Sequence, residues 1–155
     1  MDLPSGLTTR ALVPADARAV YDLVAASELH DIGEVEIDLE DIIGDWQRPS
    51  FNLGEQSVGV GSDGALVAYA EVYAGRHADA HVLPGHRGRG IGTALADWTQ
   101  QEARRQGGTL VGMPVPQGSD GDRLLTHLGY EVRWTSWVLE MPKGTSIAPQ
   151  SIPEG

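Results

Sequence analysis

The sequence predicts an α/β domain in which a mixed, mostly antiparallel sheet carries helices on its faces. Along the chain the element order reads strand, helix, helix, three strands, helix, strand, helix and strand. Two of the strand-like runs are separated by Gly-Ser-Asp-Gly, which is typical of a tight antiparallel hairpin. After them strands alternate with helices, as in crossover connections that bring strands side by side. A single sheet covered by helices accounts for all three observations.

The chain of 155 residues fits one domain. We expect residues 1–141 to form it and residues 142–155, rich in Pro, Ser and Gly, to be a flexible tail or linker. The sequence has no Cys, which excludes disulfides, thiolate catalysis and Cys-based zinc sites. No apolar run reaches the ~20 residues of a membrane helix and no signal region is evident, so we expect a cytoplasmic protein without a membrane partner.

The formal net charge of −11 disfavours nucleic acid as a partner, because an acidic surface repels phosphates. A cationic or amine-bearing partner fits this charge, and so does a surface that is merely kept soluble. Five His residues are the remaining metal candidates, and their scattered positions predict no metal site.

The first half of the chain contains a β-α beginning. The run Leu7–Val13 predicts a strand, and the residues from Pro14 to Asp16 are typical of the start of a helix. Apolar residues at three- and four-residue intervals predict a second helix over Leu39–Trp46.

Three strands are predicted next. The runs Gln56–Val60 and Ala65–Tyr73 pair through the glycine-containing turn between them. A shorter strand, Ala78–Leu83, ends before Pro84, which has no amide hydrogen to continue a sheet.

The second half alternates between helix and strand. Apolar spacing predicts the longest helix over Gly92–Gln106, which the two following glycines end. The run Thr109–Val115 predicts a buried strand, Asp120–Leu128 a helix, and Arg133–Met141 a last alternating strand.

A Gly-rich segment over residues 86–93 connects a predicted strand to the longest helix. The amides of a helix's first turn have no helical acceptor, and together with the helix dipole they attract anions. Arg87 and Arg89 add positive charge. The segment lacks the Lys of a P-loop, and its evenly spaced glycines do not fit the dinucleotide fingerprint. It therefore predicts an anion site of another kind.

The spacing of Arg87, Gly90 and Gly92 is Arg-x-x-Gly-x-Gly, after a strand that ends Val82-Leu83-Pro84. With the later ending Leu128-Gly129-Tyr130, this arrangement resembles the GNAT family of GCN5-related N-acetyltransferases. The resemblance covers about Leu7 to Glu140. It implies the GNAT acyl-CoA N-acyltransferase fold, in which two parallel strands splay apart, here those ending at Leu83 and beginning near Thr109.

By this resemblance the cosubstrate acetyl-CoA lies in the opening between the splayed strands. Backbone groups of Val82 and Leu83 would bind the pantetheine arm. The pyrophosphate would be held by the loop and the first helical turn, with Arg87 adding its charge. The residues of the loop and turn so assigned are Gly88, Arg89, Gly90, Ile91, Gly92 and Thr93.

The resemblance implies transfer of an acetyl group to a primary amine of a small molecule or peptide. Attack requires a neutral amine, whose proton is lost to a base or to water, and a carboxylate can assist directly or through water. Glu71 and Asp79 are the candidates, and the alternative for each is a solvent-exposed strand residue without a catalytic role. His81 shares a strand face with Asp79 and either joins the proton path or is structural.

Relatives commonly carry a Tyr where this chain has Leu125, and that Tyr would protonate the leaving thiolate. Near its end the sequence reads Ile152-Pro153, which echoes Leu3-Pro4 near its start. An alternative is therefore a catalytically weak acyl-CoA-binding module, either regulatory or the N-terminal half of a tandem acetyltransferase. The partner would then be a second GNAT domain, and a homodimer is the other form considered.

Aromatic residues supply two further alternatives. Trp98 lies on the apolar stripe of the longest helix, which favours the core, while Trp134 and Trp137 are open between core and acceptor pocket. Trp46, Phe51 and Tyr73 lie where the resemblance implies an acceptor site, and pocket and core remain equally open for them.

Overall fold

A four-stranded antiparallel sheet forms the centre of the molecule, with strand order β1-β2-β3-β4. The computed structural model describes residues 1–137, 139, 141–142 and 144–146. The strands are β1 Leu7–Arg10, β2 Ser57–Ser62, β3 Ala65–Tyr73 and β4 His77–Val82. Each strand pairs with its sequence neighbour, so the predicted hairpin is confirmed.

Five α-helices flank this sheet in the described part of the chain. The helices are α1 Ala17–Asp31, α2 Leu39–Trp46, α3 Leu53–Gln56, α4 Ile91–Arg105 and α5 Asp120–His127. The one-turn α3 was not predicted. The others lie where the apolar periodicity placed them, so the α/β class with helices on both faces is confirmed.

The two faces of the sheet carry separate apolar clusters. Leu12, Val20 and Leu23 pack with Tyr69 on the face that α1 and α2 cover. Val58, Val60 and Ala68 pack with Ile91 and Leu95 of α4 on the other face. Because adjacent strand residues point to opposite faces, the odd-numbered residues of β3 from Tyr69 onward and those of β4 belong to the α1 face, whereas Val67, next to a register shift between β2 and β3, packs on the α4 side. The face of a residue thus follows from its position in the strand.

Tight turns join the strands. Asp63 and Gly64 both have positive φ, at 49° and 84°, and connect β2 to β3. A two-residue turn with both residues in this region matches the twist of a hairpin. Ala74 and Gly75 also have positive φ, and they begin the turn from β3 to β4.

The strand expected over Thr109–Val115 is reduced to a single parallel bridge between His77 and Gly112. Hydrogen bonds of 2.9 Å from the Ala78 amide to the Gly112 carbonyl and of 2.8 Å from the Gly112 amide to the Arg76 carbonyl form it. In the described residues no pairing continues beyond this bridge. The chain after Gly112 therefore leaves the edge of β4 soon after joining it.

The last strand, expected over Arg133–Met141, is not formed by the described residues of that range. Val138 and Glu140 lie outside the described residues, as does most of the expected tail. The apolar side chains from which this strand was predicted are exposed instead of paired across a sheet. They are Trp134, Trp137, Leu139 and Met141.

None of the helices in the described ranges combines the length and the apolar character that crossing a membrane requires.

A close backbone approach fixes the turn between β3 and β4 against the end of α4. A Cβ atom at Gly108 would lie 1.7 Å from the Gly75 carbonyl oxygen. We expect Gly108→Ala to force the two backbones apart and to lower the free energy of unfolding by about 2 kcal/mol or more. Urea denaturation measures this change.

Gly44→Ala is the matched control. Gly44 lies in α2, and a Cβ atom added there would meet no atom within 4 Å. Alanine should raise the free energy of unfolding there by about 0.5–1 kcal/mol. Equal effects of the two substitutions would show that the contact between Gly75 and Gly108 does not constrain the fold.

Candidate active site

The outer edge of β4 offers unpaired backbone groups. The Leu83 amide donates to the Val67 carbonyl at 2.9 Å, whereas the Ala78 amide donates away from β3, to Gly112. Because an antiparallel ladder alternates, even-numbered residues of β4 direct their peptide groups away from β3. The Ala80 carbonyl and the Val82 amide therefore face the space that opens beyond the bridge to Gly112.

Val82 and Leu83, both predicted to bind a pantetheine arm, differ in what they offer. Leu83 uses its amide for Val67 and its carbonyl for the His86 amide at 2.8 Å. The Val82 carbonyl accepts from Arg87 Nε at 3.1 Å and from Ser27 Oγ at 3.3 Å. Of the backbone groups of Val82 and Leu83, only the Val82 amide thus remains available at the open edge.

The Gly-rich loop turns the chain from β4 into α4. Gly88 and Gly90 have positive φ, at 71° and 84°, and a Cβ atom added at either would meet no atom within 4 Å. The first helical hydrogen bond runs from the Ala94 amide to the Gly90 carbonyl at 3.1 Å. The amides of Ile91, Gly92 and Thr93 precede it, so they have no acceptor within the helix.

Arg87 is an internal brace. Its guanidinium makes a two-pronged ion pair with Asp31 of α1, at 2.6 and 2.9 Å, and contacts Asp120 of α5 at 3.1 Å. The side chain is only 17% exposed. The loop is therefore tied to two helices through Arg87, and its charge is largely neutralised by carboxylates.

Arg89 is exposed and makes no ion pair within the described part of the chain. It borders a cavity of about 270 Å³ whose other walls are His86, Ile91, the N-terminal segment over residues 4–7 and the end of β2 over residues 62–63. Of the two predicted arginines, Arg89 is the one whose charge is available to a ligand.

Two carboxylates stand opposite each other on the α1 face of β3 and β4. Glu71 and Asp79 are register partners in the ladder. The Trp46 indole nitrogen donates to Glu71 at 2.9 Å. Burial, followed by the nearby charge of Asp79, raises the pKa of Glu71 to about 7, although the Trp46 hydrogen bond acts in the opposite direction.

Asp79 has the opposite character. Burial disfavours its charged form, but the charge of His81 and hydrogen bonds from His81 and Tyr69 outweigh it, so the pKa of Asp79 is lowered. The distances are 3.2 Å from His81 Nε2 and 2.5 Å from the Tyr69 hydroxyl. Burial likewise opposes protonation of His81, yet the charge of Asp79 raises the pKa of its imidazole. The pKa values of the two adjacent carboxylates are thus shifted in opposite directions.

Two further side chains bear on proton supply. Leu125, at the position where relatives carry Tyr, is buried in α5. The Tyr130 hydroxyl accepts from Gln100 Nε2 at 3.1 Å and donates to the Ala96 carbonyl at 3.5 Å. Tyr130 thus contacts α4.

His30, Asp31 and Asp120 bring ligand atoms within 4.8 Å of one another. The Arg87 guanidinium contacts both of these carboxylates. The guanidinium group of Arg87 therefore already supplies the positive charge that faces these two carboxylates.

The sequence model of the acetyltransferase (GNAT) family matches residues 18–119, well over half of the chain. The chain belongs to the GNAT family. The matched range includes the open edge of β4, the Gly-rich loop and the paired carboxylates. No curated protein sequence matches this GNAT chain.

Solved GNAT structures share the fold. A GCN5-related N-acetyltransferase from Sphaerobacter thermophilus is 30% identical, with a TM-score of 0.75 over 84% of this chain and 45% of the other. This chain therefore spans less than half the length of that relative. The yncA protein from Salmonella typhimurium with its cofactor acetyl-CoA is 23% identical, with a TM-score of 0.65 over 84% and 82% of the two chains.

A ribosomal-protein-alanine N-acetyltransferase from Brucella melitensis biovar Abortus 2308 is 23% identical, with a TM-score of 0.63. That match covers 87% of this chain and 99% of the other. At this identity the likeness concerns the fold.

The Arg87 brace gives a testable consequence. Asp31→Asn removes the charge that faces a guanidinium only partly in contact with solvent, so we expect a loss of about 1–3 kcal/mol in the free energy of unfolding. Urea denaturation at low and moderate salt measures the loss.

Asp22→Asn serves as the control, because Asp22 pairs with Arg18 on the exposed surface of α1. The change should stay below about 1 kcal/mol and shrink with added salt. Indistinguishable losses for Asp22→Asn and Asp31→Asn would contradict the bracing role of Arg87.

Proposed function

We propose that this protein transfers the acetyl group of acetyl-CoA to a primary amine of a small molecule or peptide. The observation that carries the proposal is the juxtaposition of Glu71, whose pKa is about 7, with the open edge of β4. A base with a pKa near the working pH accepts a proton most effectively. We assign the activity to residues 1–141.

The backbone supports binding of acetyl-CoA. The Val82 amide and the Ala80 carbonyl are placed to pair with the amides of a pantetheine arm, which would lie along β4 like an added strand. The amides that open α4 and the charge of Arg89 suit the pyrophosphate. The glycines at 88 and 90 leave the approach free of side chains.

The reaction forms a carbon-nitrogen bond and breaks a carbon-sulfur bond. The amine nitrogen attacks the thioester carbonyl, and the carbonyl oxygen gains negative charge that backbone amides can stabilise. The bond to sulfur then breaks, giving the acetylated amine and the thiolate of CoA. Before attack Glu71 takes one proton from the ammonium form of the acceptor, directly or through water, and the second proton leaves the nitrogen for solvent once the new bond has formed.

The unequal pKa values assign separate roles to the two carboxylates. Glu71 changes its protonation state near neutral pH and acts as the base. Asp79 stays ionised, because His81 and Tyr69 stabilise its charge. That fixed charge helps to raise the pKa of Glu71, so Asp79 is a positioning residue in this scheme.

No tyrosine is needed for the leaving group. A thiol has a pKa of about 8.5, so its thiolate leaves readily and takes a proton from solvent. Leu125 is therefore compatible with turnover. The rival function, an acyl-CoA-binding module without turnover, makes a different prediction: acetyl-CoA would bind, and no amine would release free thiol.

Glu71→Gln tests the base. Glutamine can keep the hydrogen bond from Trp46 but cannot accept a proton, so we expect kcat/KM to fall about 10²–10⁴-fold. In the wild-type protein kcat/KM should decrease below pH 7 as Glu71 becomes protonated. This inflection should vanish in the variant. The part of the pH dependence of kcat/KM that comes from protonation of the acceptor amine should remain. Thiol release over pH 5.5–9 measures both.

Stability provides an independent reading of the same group. The pKa of Glu71 in the folded state lies above its ordinary value of 4.5, so the folded protein binds this proton more tightly than the unfolded chain does. As the pH rises from 4.5 to 7, the free energy of unfolding of the wild-type protein should therefore decrease relative to that of Glu71→Gln. If the wild type and the variant share one pH profile for kcat/KM, Glu71 is not the base.

Gly90→Ala tests the loop. Alanine disfavours the positive φ of 84°, so the free loop should relax and binding should have to restore it, at a cost of about 1–2 kcal/mol. The Kd for CoA should rise about 5–30-fold by calorimetry. Gly85→Ala is the control, because Gly85 has open space and no positive φ. An unchanged Kd for Gly90→Ala would remove the loop from the site.

A further inference from the structure

Aromatic rings border the carboxylate pair on the α1 face of the sheet. Tyr73 and His77 are register partners, two pairs further along the ladder than Glu71 and Asp79 and therefore the next pair on the same face. Their rings stack at a centroid distance of 4.8 Å. Residues two apart on a strand are about 7 Å apart on the same face, so this stack stands directly beside Glu71.

Trp134 belongs to the same face. His77 and Gly112 are bridge partners, so a side chain at Gly112 would share the face of His77. The Cη2 atom of Trp134 lies 3.8 Å from the position that a Cβ atom at Gly112 would take. The indole ring therefore stands above Gly112, next to the stack of Tyr73 on His77.

These rings are exposed to solvent. Tyr73 is 40% exposed and Trp134 is 68% exposed, and neither belongs to the apolar clusters of the core. Trp46 and Phe51, in contrast, pack against the cluster beneath α1. The sequence left core and pocket open for these aromatic residues, and in the structure Tyr73, which follows Glu71 on the same strand face, and Trp134 keep exposed surface.

The charges around the pair leave one carboxylate for an incoming ammonium group. Asp79 is paired with His81 and Tyr69. Glu28, which also faces this region, accepts hydrogen bonds from the amides of Glu36 and Ile37 at 2.8 and 3.0 Å. Glu71 accepts a single bond from Trp46 and keeps acceptor capacity.

We propose that the acceptor is a primary amine joined by a short alkyl tether to a flat apolar ring. This inference rests on the proposed function. The ammonium group pairs with Glu71 and yields one proton there, and the ring packs on the stack of Tyr73 and His77, on the side of Trp134. Aromatic contacts of this kind favour flat ligands over flexible ones. Asp79 and Glu28 are already paired, so among these residues no carboxylate remains for a second cationic group on the acceptor.

The test compares acceptors that share a primary amine. The full chain is incubated with acetyl-CoA and 2-phenylethylamine, diaminopentane or glucosamine, and release of free thiol gives kcat/KM. We expect 2-phenylethylamine to exceed the other two by at least about tenfold, the factor that corresponds to ~1.4 kcal/mol.

Substitutions locate the ring. Trp134→Ala and Tyr73→Ala should each lower kcat/KM for 2-phenylethylamine about tenfold, through KM more than through kcat, and should leave the Kd for CoA unchanged. Trp137→Ala is the matched control, since Trp137 is 77% exposed but has no contact with Gly112 in the described residues. It should leave kcat/KM as in the wild type.

The outcomes separate this inference from the proposed function. Preferred turnover of diaminopentane or glucosamine overturns the aromatic acceptor and leaves acetyl transfer standing. Equal effects of Trp134→Ala and Trp137→Ala also overturn it. Binding of CoA with no thiol released by these three amines overturns the aromatic acceptor, and the same result with a panel of peptide amines overturns acetyl transfer as well.

Discussion

The antiparallel register of β3 and β4 decides which side chains meet on the α1 face. It sets Tyr69 opposite His81, Glu71 opposite Asp79 and Tyr73 opposite His77. A shift of one residue would move this entire set to the α4 face, where it would meet the aliphatic cluster of Ile91 and Leu95. The close contact of Gly75 with Gly108 holds the turn that fixes this register. The chemistry of the site therefore depends on backbone geometry some distance from it.

Local patterns predicted most of the fold. The bounds of α2 and β3 match the predicted ranges Leu39–Trp46 and Ala65–Tyr73, because helical periodicity and turn residues act over short stretches of chain. The runs Thr109–Val115 and Arg133–Met141 have the composition of strands. A strand also requires a partner, and pairing is decided by distant residues. Only Gly112 finds one among the described residues of these runs.

The candidate site was predictable where it depended on alternation along a strand. Glu71, Asp79 and His81 were assigned from their strands, and the hairpin brings them together. The role of Arg87 could not be found in this way, because its partners Asp31 and Asp120 are 56 and 33 residues away in the sequence. An arginine next to several glycines suggests a binding site for an anion. In the structure Arg87 instead pairs with acidic residues at the ends of two helices, which makes it a structural residue. Trp46 was considered for a pocket, but its hydrogen bond to Glu71 depends on how α2 packs.

Tyr73 and Trp134 lie outside the apolar clusters that hold the sheet to its helices. Exchanging such exposed side chains changes folding stability little, usually by less than about 0.5 kcal/mol. Replacing Glu71 or Tyr69, in contrast, disturbs hydrogen bonds and charges beneath α1. Natural variation can accordingly change Tyr73 and Trp134, while selection keeps Glu71 and Tyr69 constant. Divergence of acceptor preference among descendants of this domain would then proceed without compensating mutations in the interior.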